Sequence, residues 1–134
     1  KSQISSSGSS SITYILDAID TVSAKIALAA YADEHSIPLI SSMGTGNKLH
    51  PELFRISDLK DTSVCPLCRV MRKELKTRGI QSLKVCWSPE KPLTPAPAEE
   101  DTGSRRSTPG SISFVPPAAG LMIAGEIVRN ICDL

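Results

Sequence analysis

The sequence predicts an α/β domain built on a mainly parallel sheet. Short apolar runs alternate with longer segments of helical periodicity, and the connections between them are short. Strand–helix–strand units with short connections are right-handed and build parallel sheets. The chain of 134 residues is long enough for one such domain with a modest core.

The first half of the chain contains one strand–helix–strand unit. Residues 14–16 form a continuous apolar run that stops at Asp17, which is typical of a strand buried on both faces. Residues 22–36 are rich in Ala and Leu, and their apolar side chains recur at helical spacing with Lys25 on another face. Residues 37–43 predict the next strand, which completes the unit.

The second half continues the alternation of strands and helices. Residues 53–56 predict a weaker strand, and residues 66–78 predict a helix that begins at a proline and ends before Gly79. A strand at 82–88 and an apolar helix at 121–131 complete the predicted α/β domain.

Two segments do not fit this alternation. Residues 1–11, KSQISSSGSSS, are of low complexity, and we expect a disordered tail. Residues 89–110 contain many Pro and Gly residues and charges of both signs, which predicts a long flexible loop. The domain itself is therefore expected at residues 12–134.

Composition and charge are those of an ordinary water-soluble domain. Hydrophobic residues make up 40% and charged residues 22%, and the formal net charge is +1, so any basic surface must be local. The sequence shows neither an apolar signal-peptide core nor an apolar run of about 20 residues. We expect a cytoplasmic protein without membrane contact, whose four cysteines are free thiols.

Two carboxylates follow the first predicted strand. Asp17 and Asp20 lie at its carboxyl end, where ligands of open α/β sheets bind. A carboxylate there can hold Mg²⁺ on the phosphates of a nucleotide, because hard cations prefer oxygen ligands. The alternative is that Asp20, or Thr21 beside it, caps the helix that follows.

A series of motifs resembles one enzyme family. DAIDTVSAK, GTGNK, CPLCRVMRKELKTRGI, SLKVCWS and SFVPPAAGLMIAGEIVRNI occur in this order between residues 14 and 131. Together they resemble the ThiF/MoeB/HesA adenylating enzymes, which are related to the ubiquitin-activating enzymes. Within this family, the motifs are most similar to those of the tRNA threonylcarbamoyladenosine dehydratases.

This resemblance implies a function and a set of partners. It implies a Rossmann-like homodimer that uses ATP and Mg²⁺ to adenylate a threonylcarbamoyl carboxylate next to the anticodon of a tRNA, followed by ring closure. The expected partners are a tRNA anticodon stem-loop and, in some relatives, sulfur-transfer proteins. The family's glycine-rich loop precedes DAID and has no counterpart in this chain. We therefore expect an incomplete Rossmann-like fold, the C-terminal part of the enzyme, inactive and without tight ATP binding by itself.

The resemblance also assigns individual residues. Asp20 matches the aspartate that contacts Mg-ATP, and we assign it as the catalytic and metal-binding residue; Asp17 is interpreted as structural. Lys25 occupies a position that is often basic and is assigned to the ATP site. Gly44 and Gly46 are expected to shape the cleft by allowing close backbone approach, with a plain turn as the equal alternative.

The pair Cys65-Pro-Leu-Cys68 has three interpretations. Half of a zinc site is disfavoured, because zinc takes four ligands and the sequence has no second CxxC pair. A redox pair fits the position at a helix N-terminus, which lowers a thiol pKa. We favour the third interpretation, in which Cys68 is a small packing residue.

Cys86, in the strand SLKVCWS, is a candidate nucleophile. A thiol near an acyl adenylate could form a thioester, although the dehydratase reaction does not require one. A buried strand thiol is the favoured alternative.

A local basic surface is predicted on the helix at 66–78. Its basic side chains lie three and four residues apart and therefore share one face: Arg69, Arg72, Lys73 and Lys76. Such a face suits the phosphates of a tRNA stem-loop, and an ordinary solvated helix face is the alternative.

Two other functions remain open from the sequence. One is adenylation of a sulfur-carrier or ubiquitin-like protein, which paired zinc motifs and a catalytic thiol would indicate. The other is a non-catalytic fragment that binds RNA or dimerises.

Overall fold

A computed structural model describes residues 11–94 and 110–134. The predicted tail at 1–11, apart from its last residue, lies outside the described residues, as do residues 95–109 of the predicted loop. The elements are β1 (Ile15–Asp17), α1 (Val22–His35), β2 (Leu39–Ser42), β3 (Arg55–Asp58), α2 (Pro66–Thr77), β4 (Lys84–Trp87) and α3 (Val115–Cys132), with 3-10 turns at Pro51–Leu53 and Leu59–Asp61.

Within the described residues, the strands form one sheet in the order β1-β2-β4-β3. β1 pairs parallel to β2 and β2 pairs parallel to β4, whereas β3 pairs antiparallel to β4. The expectation of an α/β fold with a mainly parallel sheet is therefore confirmed. Because these pairs are parallel, the carboxyl ends of β1, β2 and β4 lie at the same end of the sheet.

The sheet separates two layers of helices because its side chains alternate between its faces. On β4, Val85 and Trp87 pack with α1 and α2, whereas Cys86 packs on the opposite face with α3. The α3 side chains that cover this second face are Val115, Ala119 and Ile123. The fold is thus a sheet between a two-helix layer and a one-helix layer, as far as the chain is described.

α2 begins at Pro66 and ends before Gly79, as the sequence predicts. Pro66 lies in the first turn, where its missing N–H costs nothing. Met71 and Leu75 are buried against the sheet. At the other end, Gly79 takes a φ of 73°, and the N–H of Ile80 donates to the carbonyl of Leu75 at 3.0 Å. This left-handed closure ends the helix because glycine adopts a positive φ without strain.

Three details of the sequence prediction are wrong. Leu16 of β1 is 48% exposed, because β1 is an edge strand of the described sheet and α3 packs on β2 and β4. α3 begins at Val115 and not at 121, since Pro116 and Pro117 are tolerated in its first turn. β3 is shifted to Arg55–Asp58, after the 3-10 turn that contains residue 53.

Candidate functional site

A cavity of about 720 Å³ lies at the carboxyl ends of β1 and β2. Leu16 and residues 18–20 at the end of β1 and residues 42–48 at the end of β2 line it, together with residues 65–67 at the start of α2 and part of α3. Ligands of open α/β sheets bind at the carboxyl ends of the strands. The cavity gathers four of the predicted site residues, namely Asp20, Lys25, Gly44 and Gly46.

Asp20 presents an exposed carboxylate at this cavity. The N-cap position of α1 is held by Thr21, and no side chain makes a capping hydrogen bond there. The interpretation of Asp20 as a helix cap is therefore wrong. Its side chain is placed where it can meet a ligand, or a cation carried by that ligand.

Lys25 differs from its expected position, because only 2% of it is exposed although it lies on α1. Its Nζ lies 3.3 Å from each carboxylate oxygen of Asp17 and donates to the carbonyl of Ser42 at 2.7 Å. Asp17 also accepts from the hydroxyl of Ser41 at 2.6 Å and from the N–H of Ile19 at 3.0 Å. The charge of Lys25 is thus compensated inside the protein, and any direct contact with ATP would compete with this ion pair.

The loop after β2, residues 43–48, lines the cavity. A Cβ added at Gly44 would meet no described atom within 4 Å, so no other part of the described chain packs closely against this glycine. Lys48, which is not among the residues predicted from the sequence, is 4% exposed and lines the same cavity. Its place in GTGNK, directly after a strand end, is the signal that could have identified it.

Asn47 joins two distant segments at this loop. It adopts a φ of 57°, and its backbone N–H donates to the carbonyl of Gly110 at 2.8 Å. Its side-chain Oδ1 accepts from the N–H of Gly110 at 2.8 Å, and its carbonyl accepts from Leu93 at 2.8 Å. These bonds fix the chain on both sides of residues 95–109 beside the cavity.

Cys65 occupies the N-cap of α2 and lines the cavity. Its Sγ accepts from the N–H of Cys68 at 3.4 Å. Hydrogen bonds with the thiol and amide of Cys68 and with the backbone of Gly44, together with the charge of Lys48, lower the pKa of Cys65 to about 5. The hydrogen bond with Cys65 and burial raise the pKa of Cys68. In residues 11–94 and 110–134, no group of three or more His, Cys, Asp or Glu side chains is arranged to hold a metal.

The residue before this thiol is strained. Val64 has a φ of 65°, a conformation that β-branched residues rarely adopt. Such a conformation costs on the order of 1–3 kcal/mol and persists only where surrounding contacts enforce it. The start of α2 is therefore held in a defined geometry around Cys65.

Cys86 lies away from the cavity. It is 1% exposed and packs with Ile40, Phe54 and Val115 beneath α3. Burial raises the pKa of its thiol to about 11, so the thiol is protonated at neutral pH. This position fits the interpretation as a buried strand thiol better than that as a nucleophile.

The basic face of α2 points away from the protein core. Arg69, Lys73 and Lys76 are exposed, whereas Arg72 is half-buried. The guanidinium of Arg72 donates to the carbonyl of Thr62 at 3.0 Å and also contacts its hydroxyl. Three of the four predicted basic side chains are thus open to solvent, and the fourth is held against the protein.

The sequence is similar to those of known enzymes. No family model matches the sequence. The tRNA threonylcarbamoyladenosine dehydratase of Bacillus subtilis (strain 168) is 34% identical over 129 residues, which covers 90% of this chain and 51% of that protein. The chain is homologous to the tRNA threonylcarbamoyladenosine dehydratases. It spans about half the length of the dehydratase that it matches.

Solved dehydratase structures share the fold. The Escherichia coli tRNA N6-threonylcarbamoyladenosine dehydratase in complex with AMP superimposes with a TM-score of 0.76 at 26% identity, over 90% of this chain and 49% of that one. The same enzyme in complex with ATP gives a TM-score of 0.62 at 25% identity, over 89% and 51%. The Rossmann-like dehydratase fold is therefore confirmed for the matching half.

Within residues 11–94 and 110–134, no helix is long and apolar enough to cross a membrane.

Proposed function

We propose that this chain is the C-terminal half of an ATP-dependent tRNA threonylcarbamoyladenosine dehydratase. The observation that carries the proposal is the cavity at the carboxyl ends of β1 and β2, lined by Asp20, in a chain homologous to these dehydratases. Its volume of about 720 Å³ is within the usual range of small-ligand sites. The nucleotide-bound relatives support ATP as the co-substrate.

In the proposed reaction, a carboxylate is converted into an acyl adenylate, from which AMP is a good leaving group. The threonylcarbamoyl carboxylate attacks the α-phosphorus of ATP, which forms an acyl adenylate and releases pyrophosphate. The carbamoyl nitrogen then attacks the activated carbonyl carbon, AMP leaves, and a ring closes with net loss of one water. Adenylation is needed because the negative charge of a free carboxylate resists nucleophilic attack.

Asp20 is the residue that fits a role at Mg-ATP. Its carboxylate is exposed at the cavity, and Mg²⁺ usually takes one or two carboxylates while phosphates and waters complete its coordination. Bound Mg²⁺ would offset the negative charge of the phosphates. Lys48 is better placed than Lys25 to add positive charge at the cavity, because Lys25 is paired with Asp17. Gly44 and Gly46 line the same cavity.

We further propose that the exposed basic residues of α2 contact the phosphates of the tRNA stem-loop. Replacing Arg69, Lys73 or Lys76 singly with Gln should weaken tRNA binding and reduce the salt dependence by about one unit of slope for each lost phosphate contact. Arg129→Gln is the matched control, because Arg129 is exposed on α3, on the other side of the sheet. Equal effects of both changes would indicate a nonspecific charge effect and an ordinary solvated face.

The decisive experiment measures ring closure on threonylcarbamoylated tRNA. The chain is joined to the N-terminal half of a dehydratase relative, incubated with Mg-ATP, and the nucleosides are analysed by mass spectrometry. We expect a product lighter by one water, and a rate about 100-fold lower after Asp20→Asn, as for loss of one charge-stabilising group. Asp33→Asn is the control, because Asp33 is exposed near the opposite end of α1 and away from this cavity.

Each other outcome points to a different function. A folded chimera that binds ATP but never closes the ring would favour adenylation of a sulfur-carrier or ubiquitin-like protein. Salt-dependent tRNA binding without any effect of ATP would favour a non-catalytic RNA-binding module. For the chain alone we expect no tight binding of Mg-ATP in isothermal titration, and micromolar affinity would contradict this part of the proposal.

Three further expectations accompany the proposed function. A homodimer, a cytoplasmic location and contact with sulfur-transfer proteins stay predictions. The homodimer can be checked by sedimentation of the purified protein, and the sulfur-transfer partners by testing whether added persulfide-carrying proteins change the ring-closure rate.

A further inference from the structure

Cys65 and Cys68 form a thiol pair that the proposed dehydratase reaction does not use. Cys65 lines the cavity at the N-cap of α2, and Cys68, in the first turn of that helix, has no exposed surface. Both are free thiols in the structure. Cys65 is 5% exposed and lines a space that small molecules can enter, whereas Cys68, three residues later, is fully buried.

We propose that Cys65 is a nucleophilic thiol that reacts with small disulfides in the cavity, and that Cys68 resolves the adduct as an internal disulfide. The Sγ of Cys65 lies 3.4 Å from the backbone N of Cys68. Residues three apart in a helical turn have Cα atoms about 5–6 Å apart, which is within the range that a disulfide spans. Oxidation therefore needs little backbone movement.

The surroundings of Cys65 stabilise its charged form. The thiol and amide of Cys68 and the backbone of Gly44 hydrogen-bond to the sulfur, and Lys48 adds a positive charge. The other charged residues at this cavity are Asp20 and Lys25, and Lys25 is compensated by its ion pair with Asp17. Because the thiolate is the nucleophile in thiol–disulfide exchange, Cys65 is prepared for attack at neutral pH.

Cys68 has the properties of a resolving thiol. The hydrogen bond with Cys65, burial and the negative charge of Cys65 keep the proton of Cys68 in place while Cys65 is a thiolate. Once Cys65 is part of a mixed disulfide, that charge is gone and Cys68 ionises more easily. The arrangement gives the two sulfurs different roles, with Cys65 reacting first.

The exchange balances in two steps with a low-molecular-weight disulfide as the oxidant. The Cys65 thiolate attacks one sulfur of the disulfide, which forms a mixed disulfide and releases one thiolate. Cys68 loses its proton to solvent, attacks the Sγ of Cys65 and releases the second thiolate. Two protein thiols are oxidised, one small disulfide is reduced to two thiols, and no other reactant is needed.

The test uses the whole chain and glutathione disulfide. The exposed Cys132 is changed to Ser to prevent disulfides between molecules, and the products are acid-quenched, alkylated and mapped by peptide mass spectrometry. We expect a Cys65–Cys68 disulfide in this background. Cys68→Ser should accumulate glutathione on Cys65, whereas Cys65→Ser should leave Cys68 reduced. Trp87 emission shows whether each variant keeps its core, because Trp87 is buried.

A second measurement needs no substitution. Iodoacetamide labelling of the parent chain is followed residue by residue between pH 6 and pH 8. A free thiol added as an internal standard, with a pKa of about 8.5, should react roughly tenfold faster per pH unit over much of this range, whereas the rate at Cys65 should change less than about twofold. A Cys65 rate that rises in parallel with that of the added free thiol, or Cys65 oxidation only after unfolding, would overturn the proposal.

The proposal does not depend on the dehydratase reaction. It rests on the cavity, the order of the two thiols and their surroundings. A failure of ring closure would leave it intact, and a failure of thiol exchange would leave the proposed dehydratase function intact.

Discussion

Replacing Lys25 with Met should destabilise the fold strongly, because it removes one partner of a buried ion pair. Lys25 is 2% exposed and its ammonium lies 3.3 Å from both carboxylate oxygens of Asp17. Methionine has a similar length and shape, so little packing volume is lost. The remaining effect is that the carboxylate of Asp17, itself 1% exposed, is left buried without its counter-charge.

The expected magnitude follows from the contacts that remain. Removing one partner of a buried pair typically costs about 3–5 kcal/mol. Asp17 still accepts hydrogen bonds from Ser41 and from the N–H of Ile19, so we expect the lower end, about 3 kcal/mol. With a urea slope of about 1.5–2 kcal/mol per molar, the unfolding midpoint should fall by about 1.5–2 M.

Urea titration followed by the fluorescence of Trp87, the single tryptophan, measures this change. Lys73→Met is the matched control, because Lys73 is exposed on α2; we expect it to stay within about 0.5 kcal/mol of the parent. The double change Asp17→Asn with Lys25→Met should be about 1–2 kcal/mol more stable than Lys25→Met alone, since it removes the uncompensated charge. A cost below about 1 kcal/mol for Lys25→Met, or simple additivity in the double variant, would refute this reasoning.

Two further predictions concern the core. Met71→Ala should lower the free energy of unfolding by about 2–5 kcal/mol, because Met71 is fully buried. Val70→Ala, at an exposed neighbouring position, should change it by less than about 1 kcal/mol. Equal costs in urea titrations would show that α2 is packed differently. Because burial raises the pKa of Cys86 to about 11 from an ordinary value of 9.0, its contribution to stability is complete below pH 9 and is lost as pH rises through 11. Cys86→Ala should therefore show a smaller loss of unfolding free energy between pH 9 and pH 11 than the parent, and parallel pH curves would argue against a buried thiol.

Local patterns predicted most of the secondary structure. α2 could be located from Pro66 at its start, Gly79 at its end and the apolar spacing between them, because these signals act within a few residues. The sequence predicts a start of α3 at residue 121, whereas the helix begins at Val115, because Pro116 and Pro117 are tolerated in its first turn. Local patterns therefore locate elements better than they define their boundaries.

The candidate site was predictable to the extent that it depends on strand ends. Asp20 and Gly44 lie within three residues of the ends of strands that the sequence predicts to be parallel, so their meeting at the carboxyl ends of these strands could be expected before the structure. The partners of Lys25 could not be expected in the same way. Its ion pair joins α1 to β1, and its bond to Ser42 joins α1 to β2, so both require the packed sheet.

The amino-acid sequence by itself determined the α/β class, the order of the elements and the position of Asp20 at a strand end, because these depend on periodicity and on neighbours along the chain. Only the tertiary structure decided which polar residues face the cavity and which are buried. Cys86, a candidate nucleophile from its sequence, lies in the core, whereas Cys65 opens on the cavity beside Lys48. The physical reason is that burial and pKa depend on charges and surfaces brought together from distant parts of the chain.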